Sequence, residues 1–164
     1  MVFRRLEDLM VWQLSTELEQ RVYAFTSRLP AKRDVDFCRD IRRSASSAPS
    51  NISEGFGRFW PTEVSPKLRI ARGELEETCN HLRKAIREQY VSEGDAADML
   101  LLAKRAIGAA TRLLNYFDRH GESWKKDFLA RQRNIVAIEP GPEPGPQPGP
   151  EPGPEPEPEP DAEP

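Results

Sequence analysis

The chain has 164 residues, a hydrophobic fraction of 37% and a net charge of −3, which bounds it at a single domain with one core. From Glu139 to Pro164 it holds 12 of its 16 prolines and eight acids with no Lys or Arg, a composition that cannot bury enough apolar surface to order itself and so reads as a disordered acidic Pro/Glu/Gly-rich tail. Taking those eight acids out of a net charge of −3 leaves residues 1–138 at +5, a basic body that favours a polyanionic partner and is silent about fold.

The first predicted helix lies between Asp8 and Arg28, where Val11, Leu14, Leu18, Val22, Phe25 and Leu29 recur at steps of three and four and so share one face. Pro30 ends it. A second series, Phe37, Ile41, Ala45, Ala48 and Ile52, follows Asp34 and Asp36, whose charges suit a helix N-terminus, and Gly55 and Gly57 close it. Pro49 inside this series removes a backbone donor and crowds the Ala45 carbonyl, so a kink is expected near Ala48. The third helix is placed with Ser65 as its cap and Pro66 at its first position, running through Leu68, Ala71, Leu75, Thr78, Leu82 and Ile86 to about Tyr90. Ser92 with Asp95 forms a capping-box pattern that opens a fourth helix carrying Ala96, Met99, Leu100, Ala103, Ile107, Ala110, Leu114 and Phe117, which Gly121 is expected to stop.

Four amphipathic helices with short connections call for an all-α, antiparallel up-and-down four-helix bundle, because each apolar stripe needs another helix to cover it. The expected division is residues 1–120 as the bundle, residues 121–138 as a weakly helical extension, and residues 139–164 as the tail. Cys38 and Cys79 form no CxxC pair, and His81 and His120 have no His or Cys at i+3 or i+4 and only ordinary acid neighbours in Glu77 and Asp118, so no metal or other cofactor is expected. No Ser-His-Asp or Cys-His set can be argued, and a non-enzymatic protein is expected. The opening Met-Val-Phe-Arg-Arg-Leu-Glu-Asp has no signal-type apolar run and no stretch is long and apolar enough to span a membrane, so a cytoplasmic location is expected.

Several blocks recur in order in one known family: Phe3-x-x-Leu6, Leu9-x-Val11-Trp12-Gln13, Val22-Tyr23 with Leu29-Pro30, Ile41-Arg42-Arg43-Ser44-Ala45 through Pro49-Ser50-Asn51-Ile52-Ser53-Glu54-Gly55, and Ile70-Ala71-Arg72-Gly73. With these the chain resembles the four-helix-bundle proteins encoded in intervening sequences of 23S ribosomal RNA genes. The resemblance implies a bacterial homo-oligomer, a pentameric ring, with no catalytic activity, no small-molecule substrate and an association with structured RNA. The accessory proteins of diversity-generating retroelements are similar in fold and imply a basic pentameric barrel beside a reverse transcriptase. A protein-interaction scaffold with no nucleic-acid role is the alternative reading. Phe59-Trp60-Pro61, Pro66 and the acidic tail depart from the family pattern.

The candidate nucleic-acid-binding residues are Arg39, Arg42, Arg43, Arg58, Arg69 and Arg72. Arg39, Arg42 and Arg43 fall within about one helical turn, where guanidinium groups can neutralise several phosphates or simply pair with Asp36 and Asp40. Gly55-Phe56-Gly57-Arg58-Phe59-Trp60 interleaves aromatic rings with an arginine, a composition that can stack unpaired bases or plug the end of the bundle. Pro49, Asn51, Ile52, Glu54 and Gly55 form the structural motif, with Asn51 and Glu54 expected to satisfy backbone or bridge subunits.

Overall fold

A computed structural model describes residues 5–58 and 60–136, so Phe3, Phe59 and the acidic tail lie outside the described residues. By internal contacts the chain divides into Met1–Leu129 and Ala130–Pro164. Four α-helices follow one another: α1 Met10–Thr26, α2 Val35–Gly57, α3 Pro61–Arg87 and α4 Glu93–Val136, with short 3-10 turns at Leu6–Asp8 and Ala31–Arg33.

The helices run alternately up and down. Thr26 at the end of α1 meets Cys38 early in α2, and Trp12 near the start of α1 donates its indole N–H to Ser53 late in α2 at 3.1 Å. Tyr90, just past α3, donates its hydroxyl to Asp34 at the head of α2 at 2.8 Å, while Lys67 near the start of α3 meets Glu54 near the end of α2. Between them the four stripes bury one continuous core, from Val11, Leu18 and Val22 through Ile41 and Ile52 to Leu75, Leu82, Ala103 and Ala110. Each fully buried Leu or Ile contributes about 1.5–3 kcal/mol over its exposed state.

Local chemistry sets the helix ends. Asp34 caps α2 by accepting the N–H of Phe37 at 3.0 Å, and that bond, followed by the one from Tyr90, holds its carboxyl below the usual carboxylate range. Ser92 accepts the N–H of Asp95 at 3.1 Å, the capping pattern expected from sequence. At the end of α3, Gln89 takes a left-handed φ of 56°, and the N–H groups of Gln89 and Tyr90 return to the carbonyls of Ile86 and Ala85. That closure is usually made with Gly, so the sequence carries no signal for it.

Three boundaries differ from expectation. Helix α1 ends at Thr26, and Leu29 lies exposed beyond it instead of continuing the apolar face, because a residue before proline is driven out of helical backbone. Helix α3 starts at Pro61, not after Ser65, and carries Pro66 inside it. Pro61 already supplies the favoured first-position proline, and the earlier start buries Val64 and Ser65. Helix α4 passes through Gly121 to Val136; one interior glycine costs about 1 kcal/mol against Ala, too little to stop a helix whose next residues are mostly good formers. Helix α2 runs through the buried Pro49 without a break.

Candidate nucleic-acid interface

The seam between α2 and α3 explains most of the motif residues. Gly55 is buried against the start of α3, and a Cβ there would stand 2.9 Å from the Cβ of Lys67. Ile52 is core. Asn51 donates its side-chain amide to the Ser47 carbonyl one turn back at 2.9 Å. Glu54 receives Lys67 on one carboxylate oxygen and Arg58 on the other, both at 2.6 Å, and these two cations, Lys67 foremost, hold its carboxyl below the usual range. Further along, Thr78 and Ser44 hydrogen-bond at 3.0 Å within the core, and Arg43 reaches Glu77 at 3.0 Å.

The other side of α2 is different. Between α1 and α2 lies an open groove of about 780 Å³ lined by Lys32, Arg39, Arg42 and Arg43 together with Tyr23, Thr26, Ser27 and Ser46. Arg39 is paired with Asp36 at 2.8 Å and Asp40 at 3.2 Å, which raises its already high pKa, Asp40 foremost. Arg42 has no carboxylate partner among the described residues. Its Nε donates to the buried Thr26 hydroxyl at 2.8 Å and its Nη2 to Ser27 at 3.2 Å, and its guanidinium carbon stands 4.9 Å from the centre of the Tyr23 ring. Hydroxyls and an aromatic face fix the guanidinium without cancelling its charge.

The six candidate arginines therefore do not form one patch. Arg39, Arg42 and Arg43 share the groove. Arg58 is tied to Glu54 at the end of α2. Arg69 lines a separate cleft with Trp60, Arg119, His120 and Lys126, and Arg72 is exposed on α3 and lines neither. Three further cations that line these recesses were not singled out from the sequence: Lys32 lies in the 3-10 turn after Pro30, and Arg119 and Lys126 sit around Gly121, where the fourth helix was expected to stop. Phe56, in the aromatic stretch, packs against the core. Cys38 and Cys79 are free and buried, and burial raises both thiols. Among the described residues no three His, Cys, Asp or Glu side chains come together to hold a metal ion. No described helix is long and apolar enough to cross a membrane.

The sequence profile of the 23S rRNA-intervening sequence proteins matches residues 7–110, a span that runs from the turn before α1 into α4 and takes in the whole Pro49–Gly55 motif. The chain belongs to the 23S rRNA-intervening sequence protein family. A solved structure with a similar fold is that of a protein of unknown function from the S23 ribosomal protein family of Bacteroides thetaiotaomicron VPI-5482. It has a TM-score of 0.58 and 22% sequence identity, and the match covers 64% of this chain and 98% of that one. None of the curated proteins matches the sequence.

Proposed function

We propose that this member of the 23S rRNA-intervening sequence protein family is a non-catalytic, cytoplasmic homo-oligomer, a pentameric ring, that docks structured RNA such as ribosomal RNA through its basic side chains. The observation that carries the reading is Arg42: a guanidinium held in place by Thr26, Ser27 and Tyr23, with no carboxylate partner among the described residues, in a groove shared with Lys32. A surface arginine kept only for stability is usually matched by an acid, as Arg39 and Arg43 are here. One kept for phosphate is better oriented by neutral groups, because the charge then remains available to the ligand. The family's name supports RNA as the source of that phosphate.

Titration of labelled ribosomal RNA hairpins at two salt concentrations tests the reading. Arg42→Gln is expected to weaken binding about tenfold and to flatten the salt dependence by about one charge. Arg39→Gln, whose charge is already shared with two acids, is expected to change it less. Absence of binding by the full chain at low salt would exclude RNA docking and leave the protein-interaction scaffold.

A further inference from the structure

The groove around Arg42 is built from the last turn of α1 and one turn of α2. Tyr23, Thr26 and Ser27 stand three and four residues apart at the end of α1, and Arg42 and Ser46 stand four apart on α2, spacings that bring side chains onto one helical face. All five line the groove. Thr26 and Ser27 hold the Arg42 guanidinium by hydrogen bonds at 2.8 and 3.2 Å, and the guanidinium carbon lies 4.9 Å from the centre of the Tyr23 ring. At the rim of that same ring, the Ser46 hydroxyl donates to the Tyr23 hydroxyl at 3.4 Å. A fixed charge and a pair of hydroxyls therefore stand side by side, joined through one aromatic ring.

The hydroxyl pair is a loose one. Two hydroxyls bond best at about 2.5–3.0 Å, whereas these stand 3.4 Å apart across two helices, and Tyr23 is exposed. Each hydroxyl has one proton and two acceptor lone pairs, and the Tyr23 proton has no acceptor among the described residues. A third hydroxyl entering here accepts from one and donates to the other, so that two bonds of ordinary length replace one long bond. The Tyr23 ring is engaged with Arg42 and is the one aromatic among the described residues lining the groove. What the groove presents is charge and hydroxyls, which complement a sugar–phosphate backbone and not a base. Phosphate is common to RNA and DNA; the 2′-hydroxyl, both donor and acceptor, is what tells them apart.

We infer that the groove takes one ribose–phosphate unit of an RNA backbone, the phosphate on the Arg42 guanidinium and the 2′-hydroxyl between the hydroxyls of Tyr23 and Ser46. The inference rests on the reading of the protein as RNA-binding and names what in this site recognises RNA as RNA. Arg42 supplies affinity for any phosphate backbone, and Tyr23 and Ser46 select ribose over deoxyribose. Because no base is read, the contact is independent of sequence.

The test uses the full chain and two labelled hairpin stems of one sequence, one with ribose throughout and one with 2′-fluoro sugars, which keep the A-form helix and carry no 2′-hydroxyl. The wild type is expected to bind the ribose stem about tenfold more tightly, the worth of two ordinary hydrogen bonds. Tyr23→Phe keeps the ring beside Arg42 and removes its hydroxyl, and the ratio of the two affinities is expected to fall to about twofold or less. Ser46→Ala, which removes the other hydroxyl, is expected to lower the ratio in the same way. Arg42→Gln weakens binding of both stems. Equal affinity of the wild type for the two stems, tighter binding of the 2′-fluoro stem, or a ratio unchanged in either hydroxyl variant would overturn the inference while leaving RNA docking intact. Failure of both stems to bind at low salt would remove the RNA reading and this inference with it.

Discussion

Helix α2 presents two faces that use the same residue types in opposite ways. Toward α3, three cations meet carboxylates: Arg43 meets Glu77, and Arg58 and Lys67 meet Glu54, around a point where Gly55 leaves room for Lys67. Toward α1, Arg42 meets hydroxyls and a tyrosine ring in a groove that also holds Lys32. Arg42 and Arg43 are sequence neighbours and both line that groove, yet Arg43 is paired with Glu77 of α3 while Arg42 is held by the hydroxyls and ring of α1. The difference shows that an arginine is assigned by what surrounds it after folding, because adjacent helical positions point about 100° apart.

The sharpest way to break this contrast is at Gly55. Gly55→Ala forces a Cβ to within 2.9 Å of the Lys67 Cβ, which is too near the backbone to swing aside, and is expected to destabilise by about 1–3 kcal/mol in denaturant melts. Gly73, inside α3, is the control, because a Cβ added there would meet nothing within 4 Å. Gly73→Ala should stabilise by about 0.5–1 kcal/mol. If both substitutions behaved alike, close approach at the seam would not be what Gly55 serves.

Next in size is Thr78→Val, which keeps the shape of a fully buried residue and removes the hydroxyl bonded to Ser44 and to the Glu74 carbonyl. About 1 kcal/mol of stability should be lost, since Ser44 retains its bond to the Ile41 carbonyl. The arginines then separate the two faces. Arg43→Gln loses an exposed ion pair and should cost under about 1 kcal/mol, with a smaller effect on RNA affinity than Arg42→Gln. A larger RNA effect from Arg43→Gln would reverse the assignment of the two faces.

The smallest effect concerns pH. The Asp34 carboxyl is held below its usual range by the Phe37 N–H and the Tyr90 hydroxyl, so its charged form favours the folded state. That stabilisation is present above the unfolded carboxylate pKa of about 4 and is lost as pH falls through the lower folded value. Asp34→Asn still caps α2 but has no charge to lose. The gap in melting temperature between wild type and Asp34→Asn should therefore be open near neutrality and close as pH drops below about 4. A gap independent of pH would show that Tyr90 and Phe37 bind Asp34 no better as an anion than as a neutral side chain.

Much of the fold was legible from the chain because apolar residues at steps of three and four determine which face of a helix is buried. Phe37, Ile41, Ala45, Ala48 and Ile52 read as one stripe and are one. Boundaries were less legible. Pro66 looked like a helix start and Gly121 like a stop, yet α3 begins at Pro61 and α4 continues to Val136. In both places packing and neighbouring helix formers outweigh a local preference of about 1 kcal/mol for Gly, or one lost hydrogen bond for Pro. The Gln89 turn had no glycine to announce it.

The sequence by itself determined the helical class, the four apolar stripes, the caps at Asp34 and Ser92, the basic body with its acidic tail, and the motif that places the chain in its family. All of these follow from local periodicity, composition and residue order. Only the tertiary structure decided which cations are matched. Whether a guanidinium meets Glu77, Thr26 or solvent depends on which helix lies opposite, and residues as far apart as Lys32 and Arg43, or Trp60 and Lys126, come to line one recess only after the chain has folded back on itself.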